Sequence, residues 1–194
     1  MDIEISREKD NRMEFLLKGA PVPFANLIRR YGIGQVSIFA IDQVTIYENS
    51  SSIFDEYLAH RLGQVPLLSD ASRAADEIVF TLDSQGPSNV MSKDLKSSDS
   101  KIKASIDNIP LLKLLEGQNV RLEAKARKGI GRMHAKFQPG ILSYEILKPN
   151  ELRFKVESFM QLPPRELLSK AAEVVITRCE ELEEKLSEIK KEKD

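Results

Sequence analysis

Alternating polar and apolar positions predict β-strands near both ends of the chain. Residues 2–6 alternate, and residues 13–18 form a second short strand candidate that Gly19 closes. Residues 151–159 alternate strictly, with Leu152, Phe154 and Val156 on one side and charged residues on the other. This last pattern is typical of a strand that packs one face on a core and leaves the other face in water.

The middle of the chain is also rich in predicted strands. β-Branched and aromatic residues concentrate in four segments, which cover residues 36–48, 76–83, 120–126 and 141–147. Residues 101–106 alternate as well, and residues 110–116 are predicted as a short helical or 3₁₀ segment stopped by Gly117.

Helical spacing marks two further segments. Phe24, Leu27, Ile28 and Tyr31 follow the i, i+3, i+4, i+7 pattern of an amphipathic helix. Residues 54–62 have helical spacing too, and a polar run at 49–52 before them is a candidate domain boundary. The sum predicts an α+β protein of mostly antiparallel strands and three helices.

The longest predicted helix runs from about Pro164 to Lys191. It carries a heptad pattern, here called the apolar seam, made of Leu168, Ala172, Val175, Cys179, Leu182, Leu186 and Ile189. At 1.5 Å per residue the helix is about 40 Å long, which exceeds the diameter expected of a domain of this size. The outer part of the seam is therefore predicted to meet another protein chain.

Two interpretations of the outer turns stay open at this point. The first half of the helix is expected in the core in either case, while the charged tail, residues 180–194, either pairs with a partner or frays into water. Cys179 is interpreted as a small apolar group of the seam and not as a reactive thiol.

Composition narrows the classes of protein. The chain has 194 residues, 41% of them hydrophobic and 30% charged, with a net charge of −1, which describes an ordinary globular protein. A single cysteine excludes a disulfide framework or a four-cysteine metal site within the chain. No apolar run approaches the roughly 20 residues of a membrane span, and the start does not resemble a signal peptide. We expect a cytoplasmic protein.

Catalytic motifs were not found. The sequence has no phosphate-binding glycine loop, no nucleophile elbow and no zinc-binding helix motif. Its two histidines, His60 and His134, are isolated from each other and from Cys179, so both are interpreted as structural. The sequence predicts no active site, no metal and no cofactor.

One segment departs from the balanced charge. Residues 121–136 hold six basic residues and one acid, Glu123, together with Gly129 and Gly131. Such a segment is predicted either as a flexible loop that contacts phosphates or, preferably, as a solvated hairpin or a docking patch for an acidic partner.

Five segments of the chain are individually distinctive, at residues 24–30 (FANLIRR), 40–49 (AIDQVTIYEN), 55–67 (DEYLAHRLGQVPL), 108–118 (NIPLLKLLEGQ) and 134–140 (HAKFQPG). Together and in this order they resemble the D subunit family of archaeal DNA-directed RNA polymerase, the counterpart of the bacterial alpha N-terminal domain and of the third-largest subunit of eukaryotic polymerase II. The resemblance covers essentially the whole chain.

The resemblance implies a discontinuous dimerisation domain, an antiparallel sheet plus two helices, with an inserted β-rich domain. The expected boundaries are 1–50 and 148–194 for the dimerisation domain and 51–147 for the insert. It also implies that the first and last helices form the pairing surface. Its expected residues are Phe24, Leu27, Ile28, Tyr31, Leu168, Val175, Cys179, Leu182, Leu186 and Ile189.

The partners implied by the resemblance are the other subunits of the polymerase. The chain is expected to pair with the small L subunit, and the pair is expected to recruit the small N and P subunits and the second-largest subunit. Arg29 and Arg30 match a double arginine for which a large-subunit contact is expected. The polymerisation chemistry belongs to the complex, whose metal site lies in another chain.

The sequence departs from the family pattern at two places. Some members carry an extra domain with iron–sulfur clusters, but Pro149 and Asn150 join two predicted strands directly where it would enter, and its cysteines are missing. No cluster is therefore expected. Gly32, Gly34 and Ser37 replace expected aliphatic residues and a proline at the end of the first helix.

Two other functions remain as alternatives. The chain could pair with a second copy of itself through the same helices, or it could bind nucleic acid through residues 121–136. The near-neutral charge and the lack of aromatic stacking positions argue against nucleic acid.

Overall fold

The computed structural model describes residues 1–69 and 77–191, and the chain forms two compact units. The first unit contains Met1–Val36, Pro139–Ser158 and Pro163–Asp194, and the second contains Ser37–Gln138 and Phe159–Leu162. Both units combine helices with antiparallel sheets, so the predicted α+β class is confirmed.

In chain order the strands are β1 (Asp2–Lys9), β2 (Arg12–Lys18), β3 (Ser37–Asn49), β4 (Glu77–Gln85), β5 (Ser88–Met91), β6 (Lys96–Ser97), β7 (Pro110–Leu114), β8 (Asn119–Ile130), β9 (Gly140–Lys148) and β10 (Glu151–Ser158). The helices are α1 (Val22–Gly34), α2 (Asp55–Gly63) and α3 (Pro164–Lys191), and two short 3₁₀ helices cover Ser92–Asp94 and Ala135–Phe137.

The first unit is built on a four-stranded antiparallel sheet in the order β1-β2-β10-β9. Phe15 of β2 lies directly opposite Phe154 of β10, and their rings stack with centroids 5.0 Å apart. Alternate residues of these two strands form the core together with Leu142 of β9 and Leu167 of α3. The predicted alternation is therefore confirmed as one buried and one wet face.

Helix α1 packs against β9 through a glycine. Gly32 is buried, and a Cβ atom at this position would lie 2.6 Å from Cδ2 of Leu142, which is far closer than van der Waals contact. The helix nevertheless continues through Gly34, and the backbone N–H of Gln35 closes its last turn on the carbonyl of Tyr31 at 2.9 Å. The glycines at the end of α1 thus allow a close helix–strand approach without ending the helix early.

The second unit contains a four-stranded sheet in the order β3-β8-β4-β6 and a two-stranded sheet, β5-β7. Phe39 of β3, Phe80 of β4 and Leu122 of β8 lie in one buried cluster, to which α2 contributes Leu58 and Leu62. The predicted strand at 76–83 is observed as β4, although Asp76 lies outside the described residues.

The unit boundaries differ from the expected ones at 1–50 and 148–194. Strand β3 belongs entirely to the second unit because it pairs along its length with β8. Strand β9 belongs to the first unit because it pairs with β10. The divisions therefore fall near Val36 and Pro139, since sheet pairing and not the polar run at 49–52 decides which unit a segment joins.

The predicted helical segment at 110–116 is wrong. Pro110–Leu114 forms β7, which pairs with β5, and Leu111, Leu112 and Leu114 are all buried. A short apolar run bounded by a proline and a glycine is compatible with a buried strand or a helix, and here the pairing with β5 selects the strand.

Candidate partner-binding surface

Helix α3 begins inside the first unit. Its first backbone hydrogen bond runs from Leu167 N–H to the Pro163 carbonyl at 3.0 Å, and proline is well tolerated in a first helical turn. Leu167 and Ala171 are fully buried, and Leu167 belongs to the core cluster of the sheet. The Arg165 guanidinium bonds both carboxylate oxygens of Glu8 on β1, with Nε 2.9 Å from each. The start of α3 is therefore firmly attached to its sheet.

The apolar seam leaves this core as the helix proceeds. Leu168, Ala172 and Val175 are partly buried, whereas Cys179 is exposed. The three outermost apolar residues of the seam are more than half exposed, at 59% for Leu182, 53% for Leu186 and 51% for Ile189. A helix of 28 residues is about 42 Å long, so its outer half extends beyond the part that the core covers.

Helix α1 lies against α3 and contributes the other predicted residues. Phe24 packs on the core cluster, while Leu27, Ile28 and Tyr31 are only partly buried. The two helices contact each other directly. The structure thus brings the residues predicted on α1 and α3 into one helix pair within the first unit.

The two adjacent arginines on α1 make different contacts. Arg29 is half-buried and donates from Nε and Nη2 to the side-chain oxygen of Asn26, at 3.2 and 2.9 Å. Arg30 is exposed. The two side chains are therefore not equivalent: Arg29 is held on its own helix, and Arg30 faces water.

Ile176 is a surface residue that the heptad pattern does not predict. It is 56% exposed and lies beside Val175, just outside the seam. Because a heptad search assigns only two positions in seven to the seam, a neighbouring position is missed, although a helical projection of the sequence would show that it widens the apolar stripe. The exposed stripe on α3 therefore consists of Ile176, Cys179, Leu182, Leu186 and Ile189.

Charged residues flank this stripe. The Arg178 guanidinium donates to Glu181 one turn further on, with Nη1 2.7 Å from Oε2, and this hydrogen bond raises the pKa of Arg178. At the start of the helix, the hydrogen bond from Arg165 lowers the pKa of Glu8. Both ion pairs are solvent-exposed, so each adds little stability and mainly orients its side chains.

The described residues contain no arrangement typical of a catalytic or metal centre. His134 accepts a hydrogen bond at Nδ1 from the backbone N–H of Lys136 at 3.1 Å, which caps a 3₁₀ turn, and His60 lies in the last turn of α2. No group of three His, Cys, Asp or Glu side chains converges in this part of the chain, and no helix there is both long and apolar enough to span a membrane.

The basic segment at 121–136 is not a flexible loop over most of its length. Residues up to Ile130 belong to β8, the strand that pairs with β3 on one side and β4 on the other. Its cations are also partly neutralised. Arg127 Nε and Lys136 Nζ each lie 2.6 Å from a carboxylate oxygen of Asp42, and Lys125 Nζ lies 3.2 Å from Glu77. The interpretation of this segment as a flexible loop is therefore wrong for residues 121–130, which are part of a strand.

Comparison with known proteins agrees with this architecture. The family model of the RNA polymerase Rpb3/RpoA insert domain matches residues 36–144, which correspond closely to the second unit and the start of β9. Its position within the chain, between two segments of the first unit, is that of an inserted domain.

Archaeal relatives match both units. DNA-directed RNA polymerase subunit Rpo3 of Methanocaldococcus jannaschii is 42% identical over 175 residues, which cover 90% of either chain. The Rpo3 subunit of Thermococcus kodakarensis is 37% identical over 89% of this chain and 68% of its own length. That of Pyrococcus furiosus is 41% identical over 75% of this chain and 59% of its own length. The chain belongs to the Rpo3 family, the archaeal D subunits of DNA-directed RNA polymerase.

Proposed function

We propose that this chain is the assembly platform of its RNA polymerase, pairing with the small L subunit through α1 and the apolar seam of α3. The resulting pair then recruits the small N and P subunits and the second-largest subunit. Arg30, exposed on α1, contacts a large subunit, whereas the Arg29 guanidinium is bonded to the side-chain oxygen of Asn26 on the same helix. This role is structural and takes place in the cytoplasm, and no cofactor or iron–sulfur cluster is needed in a chain with a single cysteine.

The observation that carries the proposal is the exposure of the outer seam. Leu182, Leu186 and Ile189 are each more than half exposed although they continue a pattern that begins in the core. Each leucine or isoleucine removed from water contributes about 1.5–3 kcal/mol when fully buried, so a partner helix on this stripe gains several kcal/mol. An obligate interface of this kind is expected to bury well over about 1,000 Å².

Co-expression with the L subunit tests the proposal. We expect a stable 1:1 complex that survives gel filtration, whereas the chain alone aggregates or self-associates because its stripe stays exposed. A chain that is monomeric alone and yields no 1:1 complex would contradict the proposal.

A substitution within the seam locates the interface. Leu182→Glu places a carboxylate where a partner covers the helix, and burying an unpaired charge is costly, so pairing with L is expected to be lost. Since Leu182 is 59% exposed in the free chain, the fold should survive, which circular dichroism can check.

Thr177→Glu is the matched control for this experiment. Thr177 is an exposed residue on the opposite side of α3, where its hydroxyl donates to the Glu173 carbonyl at 3.1 Å. The variant adds the same charge to the same helix and is expected to keep its affinity for L. If Leu182→Glu binds L as tightly as Thr177→Glu does, the seam is not the interface.

A further inference from the structure

The two flanks of the apolar stripe on α3 differ in charge. In the heptad register of the seam, Arg178 and Lys185 occupy the positions just before its a residues, Cys179 and Leu186. Glu183 follows the d residue Leu182 on the other flank. All three charged residues are exposed, so each lies where a partner helix would meet it. One edge of the stripe is therefore basic and the opposite edge carries an acid.

This asymmetry has a consequence for pairing with a second copy. When two identical helices pair antiparallel about a two-fold axis, each flank meets the same flank of the other copy. In the register that places Cys179 opposite Leu182 of the second copy, Val175 also lies opposite Leu186 of that copy. The same register brings Arg178 alongside Lys185 of the second copy, and the two-fold axis repeats this contact between the other two side chains. Antiparallel self-pairing thus buries the apolar stripe only by placing like charges beside each other.

We propose that Arg178 and Lys185 determine which partner the seam accepts. This inference rests on the proposed function and specifies its partner: an amphipathic helix whose apolar face is bordered, on the edge that meets Arg178 and Lys185, by acidic residues. The same two side chains weaken pairing with a second copy that runs antiparallel. Arg178 already bonds Glu181 on its own helix, so Lys185 is the more available of the two cations.

Charge reversals test the inference through self-association of the full chain. Arg178→Glu and Lys185→Glu each convert both symmetric contacts from like to unlike charges. Exposed ion pairs contribute modestly, so each single variant is expected to self-associate about tenfold more tightly than the natural chain. The double variant restores like charges and is expected to lose this gain. Sedimentation of a dilution series measures all three, and added salt should weaken the gain.

Lys155→Glu is the control for net charge. Lys155 is exposed on the face of β10 opposite the buried Phe154 and Val156, and its reversal changes the total charge by the same amount. The inference is overturned if neither single variant exceeds this control. It is also overturned if Lys185→Glu strengthens self-association whereas Arg178→Glu weakens it. That pattern indicates parallel helices, in which Arg178 meets Glu183 of the second copy.

Binding to the L subunit supplies the second measurement. The double variant is expected to bind L at least about tenfold more weakly than the natural chain, while Lys155→Glu binds unchanged. If the double variant binds L as tightly as the natural chain, the inference that these charges select the partner is overturned, whereas the proposed function is left intact. Failure of the natural chain to bind L would instead contradict the proposed function.

Discussion

Asp42 shows how a single residue links two distant parts of the sequence. Its carboxylate, on β3, accepts from Arg127 of β8 and from Lys136 of a 3₁₀ turn, each at 2.6 Å. The bonds to Arg127 and then to Lys136 hold the pKa of Asp42 below its ordinary value. The stabilisation of the folded chain by these two bonds is therefore present above the pKa of about 3.9 that Asp42 has in the unfolded chain. It is lost as the pH falls through the lower pKa that Asp42 has in the folded chain.

The substitution Asp42→Asn tests this linkage. The Lys136 side chain is only 14% exposed, so it is left as a nearly buried cation without its acid, and we expect a loss of about 1–2 kcal/mol at neutral pH. Denaturant unfolding at several pH values should show the difference from the natural chain shrinking below about pH 3.9. Asp83→Asn, which changes an exposed carboxylate on β4, should show no such trend. A difference that is independent of pH would contradict the linkage.

At the scale of elements, hydrophobic periodicity predicted the segments that contrast a buried face with an exposed one and failed where that contrast is missing. Strands β2 and β10 and helix α3 are found where alternation or heptad spacing placed them, because each has one buried face. The run Leu111, Leu112, Leu114 has no such contrast, and only its partner strand β5 decides its conformation. Residues 127–130, the basic end of β8, lie beyond the predicted strand at 120–126, and their pairing with β3 shows that the strand continues.

The two glycines of α1 lie in opposite environments, and this difference gives a prediction at the scale of elements. A side chain at Gly32 would collide with Leu142 of β9, whereas a Cβ at Gly34 would have nothing within 4 Å. Gly32→Val is expected to destabilise the first unit by about 1–3 kcal/mol through overpacking, and Gly34→Val should be neutral or slightly stabilising because glycine is the poorer helix former. Thermal unfolding measures both, and equal effects would contradict the close packing of α1 on β9.

At the scale of the whole molecule, the sequence predicted an insertion but could not place its ends. Strand β3 ends at Asn49, the first of the polar residues at 49–52, and its pairing with β8 joins residues about 80 apart in the chain. Such pairing depends on which strands meet, and no local signal records it. The exposure of Leu182 to Ile189 is likewise a property of the folded unit, since the heptad spacing alone allows either a covered or an open seam.

Each unit has its own buried cluster, and this predicts that core mutations act locally. Phe80 in the second unit and Phe154 in the first are both fully buried. Truncating either to alanine is expected to cost about 3–5 kcal/mol through lost burial and a residual cavity. Native-state hydrogen exchange should show Phe80→Ala weakening protection in β3, β4 and β8, and Phe154→Ala weakening it in β2, β9 and β10, because compact units open separately. Equal loss of protection in both sets of strands from either variant would show instead that the two clusters unfold as one cooperative core.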